Sequence, residues 1–140
     1  MNYFKNIHGQ DLAIQILKSA ISKEHISPAY LFSGPEGVGR KKTAKIFTQT
    51  ILDRNFEREG TKRKIENNNH PDLLWIEPSY LFQGKLISQA KVKLDNLSIK
   101  STPQIRLNQI KEIIDFLGKK PLESERNIVI IEDIEKMNES

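Results

Sequence analysis

The chain has 140 residues, of which 37% are hydrophobic and 7% aromatic, enough for the core of one domain but on the polar side. It contains no cysteine, which excludes disulfides and thiolate zinc sites. A net charge of +4 permits contact with DNA or an acidic partner and fits a solvated basic surface equally well. No run approaches the ~18 apolar residues of a membrane span. Met1-Asn-Tyr-Phe-Lys-Asn6 is not a signal peptide, so a cytoplasmic protein is expected.

Gly9 and Gln10 lead into a first helix. Leu12, Ala13, Ile16, Leu17, Ala20 and Ile21 fall at helical spacing and predict its apolar face, with Asp11 at the positive end. His8 is a lone histidine with a surface or packing role. Ser27-Pro28 breaks the chain before an apolar run, Ala29–Ser33, expected as the first strand of a parallel sheet. The stretch Gly34-Pro-Glu-Gly-Val-Gly39-Arg-Lys-Lys-Thr43 follows, and then a helical pattern to about Leu52.

Strand, glycine turn and helix form the context that a phosphate-binding loop requires. Gly34 to Gly39 fit the first six positions of G-x-x-x-x-G-K-[ST], with Gly37 between them. Glycines let successive N–H groups converge on one anion, and the helix N-terminus adds partial positive charge. The last two positions depart from the motif. Arg40 stands where Lys belongs and can still pair with phosphate, although its fork is bulkier. Lys41 stands where a hydroxyl should ligate magnesium, and an ammonium has no lone pair for a metal. Lys42-Thr43 cannot substitute, because two positions at ~100° each lead to roughly the opposite side of the helix. Gly34, Gly37, Gly39, Arg40 and Lys41 are therefore the candidate residues of a degenerate phosphate loop.

From Asp53 to Asn69 the pattern is charged and aperiodic, and reads as a solvated loop or frayed helix end. His70-Pro-Asp72 enters a strand, Leu73–Ile76, closed by Glu77-Pro78; His70 and Asp72 read as turn and capping residues. Residues 79–102 mix apolar side chains with lysines, and the alternation Val92-Lys-Leu94 suggests a small hairpin. Pro103 opens the cleanest helix, through Ile105, Leu107, Ile110, Ile113, Ile114 and Leu117 to a stop at Gly118. Ile128–Ile131 is a buried β-branched strand ending in Glu132-Asp133, and Met137–Ser140 looks like the start of another helix.

Alternating strands and helices imply an α/β fold with a parallel sheet. A strand ending in two acids downstream of a glycine loop is the second half of a P-loop arrangement. One acid there holds the metal and the other polarises the attacking water. The usual order, Asp then Glu, is reversed in Glu132 and Asp133.

In family order, the segments Phe4–Gln10, Ala29–Gly39, His70–Leu73 with Ile76–Pro78, Ile105–Lys111 and Ile128–Asn138 resemble the N-terminal nucleotide-binding domain of a clamp-loader subunit, within the AAA+ ATPases. The resemblance is to the delta-prime subunits of bacterial DNA polymerase III, on the cyanobacterial side. It covers most of the chain apart from 53–69 and 79–102. It implies a P-loop AAA+ sheet flanked by helices over residues 1–140, incomplete at the C-terminus. The implied role is a stationary member of a five-subunit loader that opens the sliding clamp and closes it on primed DNA. Its partners would be the other loader subunits and the clamp, with DNA met indirectly. Delta-prime subunits often carry a degraded loop and bind no nucleotide productively, in agreement with Arg40 and Lys41. The implied protein has no ATPase activity of its own but is part of the polymerase III holoenzyme. ATP and magnesium are then expected to bind weakly if at all.

Related loader subunits carry a cysteine zinc module before the His-Pro-Asp segment. With no cysteine here, no zinc is expected. The family's trans-acting arginine, helical lid and collar domain would fall after Ser140, so a truncated chain is expected. Two other readings compete: an active AAA+ ATPase in which Arg40 replaces Lys and Glu132 holds the metal through water, and a basic DNA-binding module.

Overall fold

The structure is a computed structural model that describes residues 3–54 and 58–137. Helix α1 spans Asp11–Ser22 and α2 spans Arg40–Leu52. These two helices share a core of Phe4, Ile7, Ile14, Leu17 and Phe47. The buried face of α1 is thus centred on Ile14 and Leu17; of the predicted stripe, Leu17 is buried and Ile21 packs against this core, but the rest is not all covered. Leu12 and Ile16 are 72% and 56% exposed. Phe4 and Ile7, brought in by the N-terminal turn, decide which side of the helix is covered.

The expected strand over 29–33 does not form. Tyr30 and Phe32 pack towards the α1–α2 core, and Tyr30 meets the Phe47 ring edge-on at 5.0 Å, while Leu31 is exposed. The run thus keeps an in–out alternation, but no strand among the described residues pairs with it. Side-chain burial alone does not make a strand; the backbone needs a ladder.

The stretch expected as a loop after Asp53 contains a short helix, α3, over Thr61–Glu66. Thr61 and Ile65, one turn apart, are its buried positions. Ile65 packs with Leu52 and Leu73 in a second cluster, joined by Ile128 and Ile130. Strand β1, Leu73–Ile76, follows as expected.

Residues 79–88 form a hairpin, β2 (Ser79–Phe82) and β3 (Lys85–Ser88), joined by Gln83-Gly84. Both turn residues have positive φ, 49° and 74°, which suits the twist of a two-residue hairpin loop. Val92–Leu94, expected as hairpin, lies instead in helix α4, Gln89–Leu94. The Ser88 hydroxyl caps that helix by accepting from the Lys91 N–H at 3.1 Å.

The next helix, α5, spans Leu107–Leu117 and does not begin at Pro103. Gln104 and Ile105 are held extended: Gln104 exchanges backbone hydrogen bonds with Ser79, and the Ile105 N–H donates to the Lys136 carbonyl at 2.8 Å. Ile105, expected on the helix face, is instead 1% exposed in this bridge. Strand β4, Ile128–Ile131, then pairs with β1 in parallel, Leu73 opposite Ile128 and Ile76 opposite Ile131. Helix α5 packs on both strands, as a crossover between parallel strands should. A 3-10 turn covers Ile134–Lys136. Met137 is extended and bridges to Ile105, contrary to the expected helix start; residues 138–140 lie outside the described residues.

Candidate functional site: a lysine on the strand-end acid

The glycine turn has the backbone expected of it. Gly34, Gly37 and Gly39 have φ of 149°, 83° and 90°, the region that disfavours side chains. Gly39 is the N-cap of α2, and its carbonyl accepts from both the N–H and the hydroxyl of Thr43, at 2.9 and 2.8 Å. That hydroxyl belongs to a residue only 5% exposed, so it is spent inside the helix. Lys42 turns away and donates to the Asn6 carbonyl at 2.8 Å, as the helical angle predicted. Arg40 is the first residue of α2 and makes no ion pair among the described residues.

Lys41 turns towards the sheet. Its ammonium lies 2.8 Å from Glu132 Oε1. The other carboxylate oxygen, Oε2, accepts from the Trp75 indole N–H at 2.6 Å. Lys41 and Lys45, one helical turn apart, place their ammoniums 5.2 and 5.1 Å from the centre of the Trp75 ring. Strand pairing brings these groups together. Trp75 lies opposite Ile130, and the Glu132 N–H donates to the Ile76 carbonyl at 2.9 Å. Glu77 and Glu132 therefore leave the same ends of two parallel strands. Burial pushes the Glu77 carboxyl above its ordinary range, the Glu132 charge pushes it further, and Lys41 opposes both.

Asp133, the other expected acid, diverges. Its backbone is left-handed, φ 49°, and its carboxylate lies 3.8 Å from the Lys136 ammonium. Of the predicted site residues, the fold thus brings Lys41 and Glu132 into contact. It places Gly34, Gly37 and Gly39 in the turn before α2 and Arg40 at the first position of that helix, and directs Asp133 elsewhere. Sequence reasoning missed Trp75 and Glu77. The only cue was that Trp75 lies on a strand of the same parallel sheet that ends in Glu132, and nothing local marked the contact across 57 residues.

The arrangement neutralises Glu132 with an internal ammonium and satisfies both of its oxygens. A magnesium ion asks for oxygen ligands. The position that should supply a hydroxyl supplies a cation instead, and the Thr43 hydroxyl is spent on the Gly39 carbonyl. The donor set present does not fit that metal. Among the described residues, no group of three or more His, Asp or Glu side chains comes together in a way that could hold a metal.

Two polar hubs fix the neighbouring backbone. His70 and Asp72 have the turn role expected of them. The buried His70 Nδ1 accepts from the Asp72 N–H at 3.1 Å. Asp72, 1% exposed, accepts from the N–H groups of Leu122, Glu123 and Ser124 at 2.6 to 2.8 Å and from the Ser124 hydroxyl at 2.8 Å. Gln109 accepts from the Ser79 hydroxyl and the Arg106 N–H and donates to the Glu77 carbonyl, at 2.8 to 3.0 Å. It locks the end of β1, the base of the hairpin and the start of α5 together.

A small parallel sheet, a helix packed across it and a glycine-led helix N-terminus beside the carboxylate ends of its strands define a mixed α/β protein organised around a phosphate-loop-like turn. The family model for "DNA polymerase III, delta subunit" matches residues 9–140. The chain belongs to that family, the delta-prime subunits of the DNA polymerase III clamp loader, which implies an AAA+ fold.

DNA polymerase III subunit delta' of Bacillus subtilis (strain 168) is 27% identical over 133 residues, covering 91% of this chain and 34% of that protein. Subunit tau of the same organism is 40% identical over 48 residues, 34% of this chain and 8% of the relative. Protein STICHEL of Arabidopsis thaliana is 39% identical over 49 residues, 35% of this chain and 4% of the relative. The chain therefore spans a minor part of the curated relatives it matches. The cyanobacterial side of the resemblance rests on the sequence segments alone. No helix among the described residues is long and apolar enough to cross a membrane.

Proposed function

We propose that this chain is the N-terminal AAA+ module of a non-motor, stator-like subunit of the clamp loader, which helps place the sliding clamp on primed DNA during replication. Its partners are the other loader subunits and the clamp, and its compartment is the cytoplasm. The finer architecture in this reading is a P-loop sheet flanked by helices. The module carries no zinc and hydrolyses no ATP of its own.

The observation that carries the reading is the Lys41–Glu132 contact of 2.8 Å. A motor subunit needs a hydroxyl and a free carboxylate on either side of magnesium. Here a tethered cation takes the place between them. The pair is half-exposed and contributes no more than ~1 kcal/mol as an ion pair. Its weight in the argument is chemical: it consumes the acid that an ATPase would use.

The competing reading, an active ATPase, asks Arg40 to take the phosphate and Glu132 to hold metal through water. Binding of a fluorescent ATP analogue with and without Mg²⁺ separates the two. The stationary subunit shows no binding at high micromolar ligand and no change in emission of Trp75, the chain's single tryptophan, which touches the site. Tight Mg²⁺-dependent binding overturns it. In the double variant Arg40→Lys with Lys41→Thr, a gain of Mg²⁺-dependent binding identifies the two side chains as the block. No gain means that the cradle is closed elsewhere.

A further inference from the structure

Residues 79–104 leave the body of the fold and return to the same point. The Ser79 N–H donates to the Gln104 carbonyl at 2.9 Å and the Gln104 N–H to the Ser79 carbonyl at 3.0 Å, so one antiparallel bridge closes the excursion. Between its ends lie the β2–β3 hairpin and α4, and none of residues 80–104 is buried. Connecting segments that run over the surface and add nothing to the core are where binding residues concentrate.

The charge on this segment is predominantly positive. Residues 79–102 contain four lysines, Lys85, Lys91, Lys93 and Lys100, against one acid, Asp95, which is three of the chain's net four positive charges. All four lysines are exposed. None makes an ion pair among the described residues, whereas Lys41, Lys62, Lys64 and Lys136 do. Lys85 follows directly on the hairpin turn and sits opposite Phe82, so it is carried at the tip. Holding unpaired cations on a folded arm lowers the entropic cost of presenting them to a polyanion. It also leaves them free to displace that polyanion's counterions.

We infer that this hairpin–helix arm is a contact for the phosphate backbone of nucleic acid, independent of base sequence. The choice of nucleic acid among polyanions rests on the clamp-loading reading above; the charge and the geometry of the arm do not. The arm shares no residue with the Lys41–Glu132 site. A loss of DNA binding without any change in nucleotide behaviour therefore concerns the arm alone.

The test is fluorescence anisotropy of a labelled primer–template duplex titrated with this chain at several KCl concentrations. The arm variant carries Lys85→Gln, Lys91→Gln, Lys93→Gln and Lys100→Gln. The charge-matched control carries Lys18→Gln, Lys111→Gln, Lys119→Gln and Lys120→Gln, also exposed and outside the arm. None of these eight side chains is hydrogen-bonded or ion-paired among the described residues, so thermal melting should confirm that both variants fold.

The arm variant is expected to lose at least about tenfold in affinity at low salt. The slope of log K against log salt should fall by up to about 3.6, at ~0.9 for each of four phosphate contacts removed. The control should lose about threefold or less. Three results overturn the proposal: no DNA binding by the parent chain, equal losses in arm variant and control, or a variant that keeps DNA but loses another loader subunit in pull-down. The last would make the arm, with its exposed Leu81, Leu86 and Leu94, a protein contact instead.

Discussion

Asp72 Oδ2 accepts from both the backbone N–H and the hydroxyl of Ser124, 52 residues away, at 2.6 and 2.8 Å. With Leu122 and Glu123, the loop before β4 hangs its backbone on one buried carboxylate at the start of β1. The parallel register of β1 and β4 is thus set at the edge of the sheet as well as inside it. Asp72→Ala leaves three N–H groups and a hydroxyl without their acceptor. It should cost about 2 kcal/mol, since the lost bonds go to a charged, buried acceptor while the freed donors lie on a partly exposed loop that water reaches. Urea denaturation measures it, and a loss under about 1 kcal/mol would show that the loop finds other partners.

The same corner makes stability depend on pH in two steps. Burial holds the His70 imidazole below its ordinary value, against the pull of the Glu123 and Asp72 carboxylates. Its folded pKa is therefore lower than its unfolded one, near ~6.5. Between the two values the unfolded chain binds more protons, so stability is complete above ~6.5 and falls as the pH drops below it. Burial also raises the Asp72 carboxyl, but the hydrogen bonds from Leu122, Ser124 and Glu123 outweigh it and the net shift is downward. Its contribution is present above ~3.9 and is lost as the pH falls through the lower folded value. In melts from pH 7 to about 3, His70→Asn should flatten the first loss, below ~6.5, while leaving the onset of the second, below ~3.9. Superimposable profiles for parent and variant would remove His70 from the account.

Glu77 has the opposite sign. Its carboxyl is pushed up, so the folded chain holds that proton more tightly than the unfolded chain and stability falls as Glu77 ionises. Glu77→Gln removes this cost and should raise Tm at pH 7. Solvent reaches the site, which limits the gain to about 0.5 kcal/mol, or roughly 2 °C in a domain of this size. The gain should vanish by about pH 3, where the carboxyl is protonated in both states. A variant that melts below the parent at pH 7 would mean that the Glu77 charge is needed to hold Lys41.

The parallel strand pair was legible because Leu73–Ile76 and Ile128–Ile131 are compact apolar runs bounded by Pro, Asn and acids. The glycine turn was legible because Gly34, Gly37 and Gly39 have few other uses at that spacing. What failed depended on partners. The run 29–33 has the composition of a strand but no ladder among the described residues. Ile105 has helical spacing, yet its N–H is claimed by Lys136. Helix α3 spans six residues and buries two, too few for a period to show. In the site, Lys41 was recognised as a misfit for a metal, but not as the partner of Glu132. That contact needs α2, β1 and β4 in register, and Trp75 to receive both Lys41 and Lys45.

The Ser79–Gln104 bridge has a consequence for how such a chain changes over generations. Its two residues sit side by side, within the ~5.5 Å that separates opposed positions in an antiparallel pair. A tight turn could replace everything between them without moving Ile76 or Leu107. The intervening segment is therefore a cassette: it can be lengthened, swapped or deleted while the sheet and the glycine turn stay put. Selection on what it touches is then uncoupled from selection on what keeps the chain folded.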